Sequence, residues 1–141
     1  MSISDNVALA KRNIALAAER AGRRAEDIYL VGATKMNDAA RVREAIAAGL
    51  PICGENRVQE LVQKNAEHAY DGAALHFIGH LQKNKVRHVV GAASLIHSVD
   101  SLELMDCIGR TAEARGLTQD ILLEVNIGAE EAKSGFAPED I

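Results

Sequence analysis

Five short apolar runs in this chain are each followed by residues able to do chemistry. The first run ends in Thr34-Lys35, the second in Gly54-Glu55-Asn56-Arg57, the third in Gly79-His80, the fourth in Ser98 and Asp100, and the fifth in Asn126. In barrels and open parallel sheets alike, sites form at the carboxyl ends of the strands, so these residues are expected to converge on one rim. Lys35 is the distinctive member. Directly after an apolar strand its amine is expected to be desolvated, the environment that turns an amine into a nucleophile toward a carbonyl cofactor. A lysine snorkelling from a strand end reads the same way in sequence.

The other polar residues each admit a plainer role. His80 is also what a hydrogen-bonded structural histidine looks like. His76 and His80 stand four apart, with His88 further on, but on a strand-to-loop segment that spacing builds no metal site, and no acidic third ligand stands nearby. Glu55 and Arg57 suit an ion pair at a helix start. The basic stretch Gln82-Lys83-Asn84-Lys85-Val86-Arg87-His88 suits either a phosphate or a solvated helix face. Walker, Gly-x-Gly-x-x-Gly and Gly-x-Ser-x-Gly motifs are absent.

The elements that must position these residues alternate. Ser4 is read as the N-cap of an opening amphipathic helix with apolar positions Val7, Ala10, Ile14, Ala18 and Ala21, closed by Gly22. Ile28 to Ala33 is too short and too uniformly apolar for a helix, as expected of a strand covered on both faces. A helix from about Asp38 to Ala48, a strand at Leu50-Pro51-Ile52-Cys53 and a helix carrying Val58, Leu61 and Val62 follow. Further strands are expected at Leu75–Ile78, Leu95–Val99 and Ile121–Ile127, with a short helix from Lys85 to Val90. Asp100 with Glu103 resembles a capping box opening a helix that runs to Gly116. Pro138 and the acids after it look like the first turn of another helix. This is the grammar of βα units with right-handed crossovers. A full eight-stranded barrel takes roughly 250 residues, so residues 1–141 read as a single barrel domain, incomplete at its C-terminus and with two open sheet edges.

Composition narrows the function classes. Sixteen basic against twenty acidic residues leave a net charge of −4, which gathers neither nucleic acid nor anionic lipid. Aromatics at 3% and no tryptophan give no stacking platform for bases. Cys53 and Cys107 are far apart, with neither a zinc-type spacing nor a Cys-x-x-Cys pair, the pattern of a reduced compartment. No apolar run approaches the roughly 20 residues that span a bilayer, and no secretory leader precedes the first helix, so a cytoplasmic location is expected.

Taken together, Leu30-Val31-Gly32-Ala33-Thr34-Lys35, Gly54-Glu55-Asn56-Arg57-Val58-Gln59-Glu60, His76-Phe77-Ile78-Gly79-His80-Leu81-Gln82-Lys83-Asn84-Lys85, His97-Ser98-Val99-Asp100-Ser101 and Val125-Asn126-Ile127 with Lys133-Ser134-Gly135 resemble the pyridoxal phosphate homeostasis protein family. The segments occur in that family's order and cover nearly the whole chain. The resemblance implies a (β/α)8 TIM-type barrel of the alanine racemase N-terminal type, here its first five strands. It implies pyridoxal 5'-phosphate (PLP) carried as a Schiff base on Lys35, with Asn56 and His80 bordering the cofactor. It also implies a role in PLP homeostasis and amino-acid and keto-acid balance without established catalysis. PLP-dependent apoenzymes are then possible recipients, and a monomer is expected at full length, while exposed edges favour self-association of a shorter piece. The family's usual Ser-Lys-Thr is Thr34-Lys35-Met36 here, and its phosphate-binding strands would lie beyond Ile141. A racemase or decarboxylase of the same fold, or a non-enzymatic interaction module using Lys83 to His88, are the alternatives.

Overall fold

The computed structural model describes residues 1–141. Its first helix, α1 (Ile3–Arg20), starts two residues earlier than the sequence suggests. Ser2, not Ser4, is the N-cap: its hydroxyl accepts from Asp5 N at 3.0 Å while the Asp5 carboxylate takes Ser2 N at 3.0 Å, a reciprocal cap that Ser4 lacks. There follow β1 (Val31–Ala33), α2 (Ala39–Ala47), β2 (Ile52–Glu55), α3 (Val58–Ala66), β3 (Ala74–Phe77), α4 (Val86–Val89), β4 (Leu95–Val99), α5 (Leu102–Ala114) and β5 (Asp120–Leu123). Short 3-10 turns stand at Ala25–Asp27, Lys83–Lys85 and Pro138–Asp140.

Element type matches the sequence reading throughout, and the boundaries differ for local reasons. The β1 ladder starts only at Val31, and Tyr29 is left exposed. The second strand runs two residues later than expected because Pro51 has no N–H to give a ladder, and Ile52 is the first residue to pair. Ser101 rather than Asp100 caps α5, its hydroxyl accepting from Leu104 N at 3.1 Å. The fifth strand ends at Leu123, and the chain then turns back so that Val125 bridges Phe136.

All five strands are parallel and lie in sequence order, β1-β2-β3-β4-β5. A doubly wound sheet reverses its order at a switch point. With no reversal the winding is that of a (β/α) barrel, and the chain supplies five of its strands. Pleating sorts each strand's side chains onto two faces. Cys53, Leu75, Phe77, Ile96 and Val99 join Val42, Leu61, Val86, Val89, Leu104 and Ile108 of the helices in one continuous core. The opposite, concave face carries Ala33, Gly54, His76 and Leu95 in register. The expectation that the first strand is covered on both faces therefore fails, since Ala33 is exposed, and Ala74 of β3 and Leu122 of β5 are exposed as well.

On that concave face His97 Nε2 meets His76 Nδ1 at 2.9 Å, pairing the two imidazoles across β3 and β4. The hydrogen bond requires one ring nitrogen to donate and the other to accept, which two imidazolium rings cannot do. Partial burial holds both rings below the usual histidine value, and for His76 the charge of His97 adds to it.

The close approach of β2 to β3 at the rim has its own requirement. A Cβ on Gly79 would lie 2.0 Å from Asn56 O, a backbone atom that cannot yield, whereas Gly109 in the middle of α5 has nothing within 4 Å.

Two stability measurements follow. Gly79→Ala is expected to lower the urea midpoint by the equivalent of about 3 kcal/mol, and Gly109→Ala to raise it by up to about 1 kcal/mol. Equal shifts in the two variants would contradict the packing described. For the histidine pair the folded values lie below the unfolded one, so the unfolded chain binds more protons once pH falls through about 6.5. Stability contributed by the neutral pair is therefore full above that pH and declines below it. The fall in Tm between pH 7 and 5.5 should be shallower in His97→Gln than in the parent, and parallel curves would show that the pair does not titrate with folding.

Candidate functional site

The rim residues are built from strand parity. Thr34 N donates to Gly54 O at 2.9 Å and Ile78 N to Glu55 O at 2.8 Å, so both ladders continue past the formal strand ends. Carrying the Ala33–Gly54 register two places further sets Lys35 beside Asn56 on the concave side. Thr34 and Glu55, one residue earlier on each strand, point the other way, under the helices.

Lys35 is exposed, so the desolvation expected of it is not found; the strand before it ends at the rim and its concave face is open. What distinguishes Lys35 is the rigidity of its backbone. Lys64 Nζ donates to Thr34 O at 2.8 Å, Asn37 Nδ2 to Lys35 O at 3.1 Å, and Met36 N to Glu60 Oε1 at 2.9 Å. Met36 itself sits in the left-handed region, φ 62°, which a residue with a Cβ adopts only when its surroundings hold it there.

Beneath this turn lies a buried polar cluster. Glu55 is wholly buried, and its Oε1 accepts from Thr34 Oγ1 at 2.6 Å, Lys64 Nζ at 2.8 Å and Tyr70 OH at 2.9 Å. The ion pair that Glu55 and Arg57 suit in sequence is not formed: β2 runs on to Glu55, whose parity with Cys53 turns it into the helix layer, while Arg57 is exposed. Breaking a buried pair of this kind by removing one partner costs about 3–5 kcal/mol. Burial, then the Glu55 carboxylate, raises the Tyr70 phenol far above its ordinary value, and the same two causes push the Cys53 thiol to about 11. Cys53 and Cys107 are both free thiols.

The remaining sequence candidates separate. Asn56 stands next to Lys35, and its buried Oδ1 has no hydrogen-bond partner. His80 is exposed at the same rim, with Nδ1 3.6 Å from Asp100 Oδ2 at the end of β4. Asn126 is consumed locally, its Nδ2 donating to Glu130 O at 2.8 Å and its Oδ1 accepting from Glu130 N at 3.3 Å. Ser98 is buried and its Oγ is unpartnered. In the basic stretch, Lys83 is tied to Glu103 at 2.7 Å, and Lys85, Arg87 and His88 are exposed, as a solvated helix face would be. No group of three metal-ligating side chains forms.

Lys64, Glu60 and Tyr70 were not singled out by sequence. Lys64 follows Leu61 at helical spacing, so it falls on the inward stripe of α3, and both are buried; Val62, expected on that stripe, is exposed. A lysine on a buried stripe close after a glutamate at a strand end is the signal that was available.

Chemically, the rim offers a primary amine on a fixed backbone, an adjacent carboxamide whose oxygen lacks a donor, and an exposed imidazole 3.6 Å from a carboxylate. That set fits a carbonyl cofactor with polar substituents: Lys35 would meet the carbonyl and Asn56 would accept from a neighbouring donor. A cleft of about 350 Å³ lies against the turn after Lys35, with Met36, Asn37, Glu60 and Lys64 in its lining; one of about 290 Å³ lies between α1, α2 and β1, and one of about 580 Å³ against the loop after β5.

Known proteins converge on the same picture. A pyridoxal phosphate homeostasis protein of Aquifex aeolicus is 40% identical over 141 residues, which is 100% of this chain and 62% of that protein. A crystal structure of an unknown protein from Bifidobacterium adolescentis superposes with a TM-score of 0.84 at 40% identity, covering 97% of this chain and 60% of that one. PipY of Synechococcus elongatus, with PLP bound, superposes at 0.69 with 36% identity, covering 79% of this chain and 52% of its own. The chain thus spans about three fifths of the length of the curated relatives it matches. The model of the family described as alanine racemase, N-terminal domain, matches residues 6–141. With five parallel strands in barrel order and its lysine at the first strand's end, the chain belongs to the alanine racemase N-terminal domain family.

Proposed function

We propose that this chain binds PLP as a Schiff base on Lys35 and acts in PLP homeostasis, and with it in amino-acid and keto-acid balance, as a carrier rather than a catalyst. The observation that carries the reading is the Lys35 amine, presented at the rim from a backbone held at three consecutive residues, in a chain 36% identical to a protein whose structure holds PLP. PLP supplies an aldehyde that condenses with an amine and releases water. Asn56 borders it through the unpartnered Oδ1, and His80 closes the rim on the far side of Gly79. The cytoplasm is the compartment in which such a carrier would meet PLP-dependent apoenzymes.

The carrier reading is supported by what the two tyrosines do. Racemisation on a PLP scaffold needs a second acid or base on the opposite cofactor face. Tyr29 lies before β1, away from the rim, and Tyr70 is buried under the helices with its hydroxyl committed to Glu55. Relatives of this chain are named for homeostasis, which agrees.

Incubation with PLP followed by borohydride reduction and peptide mapping is expected to place the pyridoxyl group on Lys35 alone, with none in Lys35→Ala. Label spread over Lys11, Lys64, Lys83 and Lys85, and unchanged in the variant, would refute the site. L-alanine should yield no D-alanine; racemisation would make the protein an enzyme.

A further inference from the structure

We infer that Glu60 is a positioning residue for Lys35: it fixes the peptide on the carboxyl side of the lysine and so sets how readily the lysine amine captures an aldehyde. The inference rests on the reading of Lys35 just given and extends it to a residue four positions beyond Asn56.

The geometry points to Glu60 because its carboxylate is shared between two tasks. Oε1 accepts from Met36 N at 2.9 Å and lies 3.6 Å from Lys64 Nζ, one turn along α3. Lys64 in turn holds Thr34 O and the buried Glu55. The peptides before and after Lys35 are therefore both fastened to the same helix, the first by Lys64 and the second by Glu60. Met36 needs this, since at φ 62° its left-handed backbone is strained for a residue with a Cβ and would relax if its N–H were released. Relaxation at Met36 swings the Lys35 Cα and with it the whole amine arm. An anchored arm raises the effective concentration of the amine at a bound carbonyl; a free one dilutes it. The contacts of Glu60 are to the Met36 N–H and the Lys64 ammonium, so its action on Lys35 is through the backbone.

Imine formation joins Lys35 Nζ to the aldehyde carbon, expels the aldehyde oxygen as water and needs no other reactant. Positioning therefore bears on this covalent step and not on ligands that lack the aldehyde. The test compares PLP with pyridoxine 5'-phosphate, which carries an alcohol in its place, on the parent chain, Glu60→Ala and Glu60→Gln. Glu60→Ala is expected to weaken PLP binding about ten-fold, the worth of one charge-assisted hydrogen bond. Pyridoxine 5'-phosphate should bind all three proteins alike. Glu60→Gln, whose amide oxygen still accepts from Met36 N, should recover most of the loss. Equal affinity for PLP in Glu60→Ala and the parent, or a parallel loss of both ligands, overturns the inference. If Glu60→Ala does not fold, hydrogen exchange decides in the parent: a Met36 amide as unprotected as an open loop overturns it, a protected one supports it. Failure of the underlying reading is distinct, because it appears as absence of label on Lys35 in the parent itself.

Discussion

A single carboxylate oxygen, Glu55 Oε1, ties the candidate site to the fold. Three donors from three elements converge on it: the Thr34 hydroxyl from the end of β1, the Lys64 ammonium from α3 and the Tyr70 phenol from the connection into β3. An ionised carboxylate buried without partners would be intolerable, so the presence of Glu55 in the core dictates that all three partners arrive together. The arrangement is registered as well as stable. A hydrogen-bonded polar cluster accepts far fewer alternative packings than the leucines and valines around it, and here the packing it selects is the one that holds the Thr34–Met36 turn.

The helix layer is thus the side on which the lysine's backbone is anchored, and the concave face is the side to which strand parity assigns its side chain. That division explains why the core is continuous on one face and interrupted on the other. Phe77, Ile96 and Val99 are fully buried under α3, α4 and α5, while the residues alternating with them include His76 and His97, half-buried and bonded only to each other. Polar side chains are tolerable on that face because they satisfy one another across the strands, while Gly54 leaves room for the Ile78 and Val31 side chains and Gly79 lets its strand end approach the Asn56 backbone.

Much of this was legible in the sequence. Helical spacing, short apolar runs and the terminal glycines placed every helix and strand, and the polar residues after each run placed the rim. The shortfalls came from effects that sequence periodicity does not carry. Pro51 delays pairing by two residues, and the strand after it runs on to Glu55, whose parity with Cys53 places it in the core rather than beside Arg57. Ser2 outcompetes Ser4 because Asp5 can reciprocate. Lys35 is exposed because an apolar strand implies burial of its own residues, not of the one that leaves it. Lys64 and Glu60 looked like ordinary helix-surface charges, since nothing in one helix reveals that its stripe faces a buried acid.

Parity explains why so short a motif as Gly54-Glu55-Asn56-Arg57-Val58-Gln59-Glu60 carries so much. In a strand, adjacent residues face opposite ways, so Glu55 and Asn56 serve opposite sides of one sheet: Glu55 secures the base of the lysine turn and Asn56 stands beside the lysine itself. One turn into the following helix, Glu60 returns to the same turn from the helix side. A single insertion between Glu55 and Glu60 would rotate α3 by about 100° and send that carboxylate away. The spacing of the motif is therefore a geometric constraint, set by the pleat at one end and the helical turn at the other, with Lys35 at the point where the two meet.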